Sequence, residues 1–148
     1  MTAYQHILVA LDTSQQAPQV LSKAHDLAQQ HKAKLSLLHV IEPMVDAANY
    51  AFDGTIAVDL LPLQNNAETV AKDNIKKLAT SFSIPDQQLY TLFGQPASQI
   101  HQFSEQHDCD LIVIGSHGRH GLALLLGSTA NAVLHGASCD VLAVRFKD

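Results

Sequence analysis

Asp110-Leu111-Ile112-Val113-Ile114-Gly115-Ser116-His117-Gly118 is the stretch on which the fold turns. Its apolar centre carries no polar alternation, as expected of a strand buried on both faces of a parallel sheet. A glycine-rich loop, Ser116 to Leu126, follows it, and then a helix from Ser128 to about His135, with Gly136 as a stop. Beyond lies a last short apolar strand, Val141-Leu142-Ala143-Val144. Strand, loop, helix and strand make one βαβ unit.

Working back from this unit, the same grammar repeats. Ala97 to His107 reads as a helix with Ile100 and Phe103 inward, entered through the turn Gly94-Gln95-Pro96 after a short strand from Gln88 to Phe93. Ala67 to Phe82 reads as an amphipathic helix, with Val70, Ile75, Leu78, Ala79 and Phe82 inward and Lys72, Asp73, Lys76 and Lys77 wet. Met44 to Asn66, with Pro62, Asn65 and Asn66, reads as a long irregular connection with at most one helical turn. Leu35 to Val40 is a second buried strand, Pro18 to His31 a helix with Val20, Ala24, Leu27 and Ala28 inward, and Ile7 to Leu11 the first strand. Five apolar strands alternating with four helices predict a doubly wound α/β sandwich, one domain over residues 1–148.

Composition agrees and narrows the function. Hydrophobic residues make up 47% of the 148 and charged residues 16%, below the roughly 25% charge of an average globular chain. Nine Lys and Arg against fourteen Asp and Glu leave a formal charge of −5 with no basic run, which argues against nucleic acid and anionic membrane surfaces as partners. No apolar run approaches the roughly 18 residues of a membrane span, and nothing at Met1 to His6 resembles a secretory signal. The expectation is a cytoplasmic protein. Cys109 and Cys139 are too few for a disulfide framework, and each precedes an aspartate, the wrong field for a reactive thiolate.

Open parallel sheets collect ligands outside the carboxyl ends of their strands, where the strand order reverses. Two such ends carry chemistry. The first strand runs into Asp12-Thr13-Ser14, and the fourth into Gly115, Gly118 and Gly121, with Gly127-Ser128-Thr129 at the start of the next helix. Glycines let backbone N–H groups approach an anion, and a helix N-terminus adds donors and partial positive charge. Ser128 and Thr129 offer hydroxyls, Arg119 a cation, and Asp12 an acceptor for a ribose hydroxyl or an adenine amino group. This is neither a Walker loop, which needs a Lys before its Ser or Thr, nor a dinucleotide fingerprint, which needs glycines after the first strand. On spacing alone, a phosphate cradle and a set of plain turns both remain open.

Taken together, His6-Ile7-Leu8-Val9-Ala10-Leu11-Asp12, Leu37-Leu38-His39-Val40, Gly94-Gln95-Pro96, Asp110 to Gly118, Leu125-Leu126-Gly127-Ser128 and Val141 to Arg145 resemble the universal stress proteins over essentially the whole chain. The resemblance implies a five-stranded parallel sheet in the order 3-2-1-4-5, and a homodimer paired through Val141, Leu142, Ala143 and Val144. Some members bind ATP through a pattern similar to G-x2-G-x9-G-[S/T]; here Gly115, Gly118, Gly127 and Ser128 match, but eight residues, Arg119 to Leu126, stand where that pattern has nine. One residue displaces the helix start by up to about 3.5 Å, which a loop containing Gly121 can absorb. For ATP or AMP, with or without Mg, the resemblance implies that Asp12 and the backbone of Val40 hold adenine and that Ala10 and Ile114 line its pocket. It also puts Gly115 near the ribose, with Gly118, Gly127, Ser128 and Thr129 around the phosphates. The alternative of the same family is a dimeric interaction protein that binds no nucleotide.

Other chemistries fare worse. His117 and His120 are three apart, but no Cys or carboxylate joins them at metal-ligand spacing, and His25/His31 and His101/His107 fall largely on different helix faces. His39 reads as a buried strand-end residue. Ser116-His117 lacks the G-x-S-x-G elbow of a nucleophile. A phospho-receiver would need an Asp and a Lys at later strand ends, where Gly94 and Arg145 stand. With no general base beside the cradle except His117 and His120, the chain reads as no enzyme, or at most a slow ATPase. Leu122 to Leu126 reads as a packed lead-in to the last helix, or as a lid or dimer patch.

Overall fold

A computed structural model describes residues 3–12, 16–42, 61–116 and 127–145, for 61–65 the backbone alone. In chain order the elements are β1 (His6–Ala10), α1 (Ala17–His31), β2 (Lys34–Ile41), α2 (Leu61–Ser81), β3 (Leu89–Phe93), α3 (Pro96–Gln106), β4 (Leu111–Gly115), α4 (Ser128–Gly136) and β5 (Asp140–Val144). The strands form one parallel sheet in the order β3-β2-β1-β4-β5. The expected fold class and strand order are therefore observed.

Unbroken apolar strands are needed because each face of the sheet carries its own core. Ile7, Val9 and Leu11 of the first strand segment, with Leu35, Leu37, Leu111 and Val113, point to the side covered by α1 and α2. Leu8, Leu38, Ile112 and Ile114 point to the opposite side, covered by α3 and α4. Alternate residues thus serve alternate layers, and a polar residue at any of these positions would be buried.

Helix boundaries have local causes. Gln95 caps α3, its side-chain Oε1 accepting the Ser98 N–H at 2.7 Å, with Pro96 in the first turn, where its missing N–H is not needed. The α2 helix begins at Leu61, six residues before the expected start, so part of the expected irregular connection is helical. Pro62 lies in the first turn and opens the helix rather than interrupting it. Val70, expected inward, is 51% exposed: the buried stripe is Ala71, Ile75 and Ala79, at four-residue spacing, and Val70 lies about 100° round the helix from Ala71. Gly136 ends α4 not by a left-handed turn but by close approach, since a Cβ there would run into the His101 ring, which is held by a 2.9 Å hydrogen bond from Nε2–H to the Val133 carbonyl.

At the amino edge of the sheet a partly buried polar latch joins three segments. His6 donates through Nδ1–H to the His107 carbonyl at 2.9 Å and accepts at Nε2 from the Ser36 hydroxyl at 2.7 Å. The Asp110 carboxylate accepts the backbone N–H groups of Gln5 and His6 at 2.8 and 3.0 Å, tying the entry of β1 to the entry of β4. Asp110, expected as the first strand residue, thus works as a cap just before β4. Burial pushes the His6 imidazole below its ordinary pKa. The His107 carbonyl can only accept, so the neutral ring carries its proton on Nδ1 and leaves Nε2 to accept from the Ser36 hydroxyl.

The two cysteines lie along the same side as α3 and α4, Cys109 buried and Cys139 half-buried. Burial pushes the Cys109 thiol up to about 12, and burial with the neighbouring Asp140 raises Cys139. Both are therefore protonated at neutral pH.

Two predictions follow from these groups. A His whose folded pKa lies below its unfolded value costs stability as pH falls through 6.5 toward the lowered value, because the unfolded chain takes up the proton first. Melting temperature should drop between pH 7.5 and 5.5, and His6→Asn, which keeps a donor at the δ position but does not titrate, should flatten that slope; an unchanged slope would remove His6 as its source. For the thiols, the folded protein should react with a disulfide reagent at pH 8 at least tenfold more slowly than after denaturation, with Cys139 labelled before Cys109.

Candidate functional site

The sheet order reverses between β1 and β4: from β1 the chain passes to β2 and β3 on one side, and β4 and β5 lie on the other. Connections leaving the carboxyl ends of β1 and β4 therefore diverge to opposite faces, and a crevice opens between them. What lines it follows from register. Ile7, Leu8 and Val9 pair with Leu111, Ile112 and Val113, so Ala10 sits beside Ile114 at the carboxyl end. Half-buried Ala10 and Val40 and buried Ile114 pack with one cluster, on the α3 and α4 side. The structure brings these three together as a flat apolar floor.

Backbone groups supply the polar part. The Leu11 N–H donates to the Leu38 carbonyl at 2.9 Å, the last rung of β1 on β2. In a parallel ladder, alternate residues turn their N–H and C=O to the same neighbour. Leu38 faces β1, and Ile41 faces β3, where its carbonyl accepts the Gly94 N–H at 3.0 Å. Val40 therefore turns its N–H and C=O to the β1 side, beyond the point where β1 has left the sheet. Asp12 follows on the exposed side of the same edge.

On the β4 side, Ser116 organises the approach. It is 3% exposed, its N–H donates to the Val144 carbonyl at 2.9 Å, and its carbonyl accepts the Gly127 N–H at 2.7 Å. Ser116 and Gly127 are thus held against each other at the end of β4. Gly127 is the N-cap of α4, in extended conformation and with no side-chain cap, and its carbonyl accepts the Asn131 N–H at 2.9 Å. The first-turn N–H groups of Ser128, Thr129 and Ala130 are without helical acceptors, and they open at the end of β4. Ser128 and Thr129 are exposed there.

Of the nine residues expected at the nucleotide site, Ala10, Asp12, Val40, Ile114, Gly115, Gly127, Ser128 and Thr129 lie on the carboxyl edge around this crevice, and Gly118 lies outside the described residues. Arg119, His117, His120 and Leu122 to Leu126 lie outside them as well. Among the described residues no group of three or more His, Cys, Asp or Glu is placed to hold a metal ion, and no helix is long and apolar enough to cross a membrane. His39 is buried, as expected of a strand-end residue, and Nδ1–H donates to the Leu11 carbonyl at 2.7 Å. Neither that bond nor the two backbone ties of Ser116 has a sequence signature.

Comparison with known proteins points one way. The universal stress protein A homolog 1 of Coxiella burnetii (strain RSA 493 / Nine Mile phase I) is 39% identical over 145 residues, 98% of this chain and 99% of the relative. Among solved structures, the universal stress protein UspA from Lactobacillus plantarum matches with a TM-score of 0.77 at 26% identity, over 98% of this chain and all (100%) of that one. A universal stress protein solved in complex with cAMP shares the fold, with a TM-score of 0.65 at 22% identity over 97% of this chain and 98% of that one. The family described as the universal stress protein family matches residues 3–145, and the chain belongs to it.

Proposed function

We propose that this protein is a dimeric, cytoplasmic, stress-linked regulatory module that binds ATP or AMP, with or without Mg, in the crevice between β1 and β4. The observation that carries the reading is the convergence of three complementary surfaces on one edge. These are an apolar floor at Ala10 and Ile114, a main-chain donor–acceptor pair at Val40, and a helix N-terminus at Gly127 to Thr129. An adenine ring needs the first two and a polyphosphate the third. Asp12 would accept from the adenine amino group or a ribose hydroxyl, Gly115 would lie against the ribose, and Gly118 would join Ser128 and Thr129 around the phosphates. Hydrolysis would be slow, because, of the residues this reading sets against the nucleotide, only Asp12 carries a side chain able to take a proton from water, and it is assigned to the adenosine end rather than to the phosphates.

The spacing of the loop favours a second reading. Eight residues between Gly118 and Gly127, one fewer than in the nucleotide-binding pattern, would suit a dimeric interaction protein whose crevice holds no ligand. Calorimetric titration with Mg-ATP and with AMP separates the two. We expect saturation near one per chain, and a loss of at least tenfold in affinity for Gly118→Val, whose side chain would occupy phosphate space. Absence of heat up to millimolar ATP would select the second reading.

Both readings place a dimer at β5, an edge strand of the sheet. The Val144 carbonyl faces β4, so by alternation Val141 and Ala143 turn their N–H and C=O outward, an unpaired row that proteins usually cover. Pairing with the two-fold copy would cover it. Light scattering should give twice the chain mass at micromolar concentration, and Ala143→Pro, which removes an outward donor without touching β4, should give the monomer.

A further inference from the structure

We propose that His39 is a positioning residue that keeps the crevice open, by occupying the acceptor onto which Val40 would otherwise close. The inference rests on the nucleotide reading above and adds to it the device that reserves the Val40 backbone for a ligand. In a parallel pair, a residue whose N–H bonds to one carbonyl offers its own C=O to the N–H two residues further along the partner. Leu11 bonds through its N–H to the Leu38 carbonyl, so the ordinary donor to the Leu11 carbonyl is the Val40 N–H. The donor that Leu11 has instead is the His39 imidazole, at 2.7 Å. A side chain from the neighbouring residue replaces a rung of the ladder.

The consequence is geometrical. The backbone pairing of β1 with β2 ends at the Leu11 to Leu38 rung, two residues before Val40, and the chain continues from the tethered Leu11 into Asp12. His39 is only 7% exposed, so the bond is sheltered from competing water. It acts from the far side of the sheet, since Leu38 and Val40 alternate with it and pack toward α3 and α4. The imidazole therefore shapes the crevice without entering it.

Chemistry supplies a selective test. Asn carries an amide nitrogen at the δ position, where His carries Nδ1, so His39→Asn keeps the donor; His39→Leu keeps bulk and removes it. Calorimetry with Mg-ATP should give His39→Asn within about threefold of the wild type and His39→Leu weaker by about tenfold, the change expected from one buried hydrogen bond. Amide hydrogen exchange on the same proteins supplies a readout independent of nucleotide. The Val40 N–H should exchange fast in the ligand-free wild type and slow on adding ATP, and in His39→Leu it should be slow without ATP, having closed onto Leu11. Should the Leu variant fail to fold, His39→Met, which also lacks a side-chain donor, takes its place against Asn. Equal ATP affinity in the wild type and in the donor-lacking variant, or equal Val40 exchange in both without ATP, would overturn this inference and leave the nucleotide reading standing. A wild type that binds no nucleotide would overturn both.

Discussion

A parallel sheet covered on both faces must send every connection out of its carboxyl edge, and when its strand order reverses it must leave a gap there. That constraint governs the molecule. It dictates uninterrupted apolar strands, because Leu8 and Val9 face different layers and neither layer is wet. It also puts the ends of β1, β2 and β4 on one rim, where backbone polar groups run past the last paired rung. The crevice is thus a consequence of topology before any ligand is considered, and the residues around it have only to leave it open and give it a sign.

They do so with few charges. The floor is methyl and methylene surface from Ala10 and Ile114, the polar groups are main-chain atoms of Val40 and the α4 entry, and Asp12 is the ionisable side chain that follows β1 into the crevice. With a formal charge of −5, the protein would have to attract an anionic ligand by local dipoles rather than by its overall field. The opposite edge is built in the reverse sense. There His6, Ser36, Asp110 and the His107 carbonyl satisfy one another in a closed network, so that edge is latched and the carboxyl edge is left with groups to offer.

The division between what could be read in the chain and what could not follows from interaction range. Strand positions and fold class were accessible because runs such as Leu111 to Ile114 have one physical explanation, whereas the strand order came from the resemblance to the universal stress proteins and the glycines after Gly115 left a cradle and plain turns both open. Features set by neighbours distant in sequence were hidden. Val70 satisfies helical periodicity as well as Ala71 does, and only the position of the sheet decides which one is covered. Pro62 breaks a helix or begins one according to what precedes it. Gly136 ends its helix as expected, but its closeness to the His101 ring is set by a distant helix. At the crevice the residue types pointed to the rim, whereas the ladder parity that aims Val40, the tie of Ser116 to Gly127 and the bond from His39 to Leu11 are facts of register, written in no local motif.

The central claim is that the reversal between β1 and β4 makes a nucleotide site. Its most direct test is a backbone amide NMR titration of the protein with Mg-ATP. The account predicts saturable shifts concentrated at Ala10 to Asp12, Val40, Gly115 and Gly127 to Thr129, with the latch at His6, Ser36 and Asp110 unmoved. Shifts centred elsewhere, for example on the groove between His25, Lys32 and Phe82 at the opposite edge, or none at millimolar ATP, would contradict it.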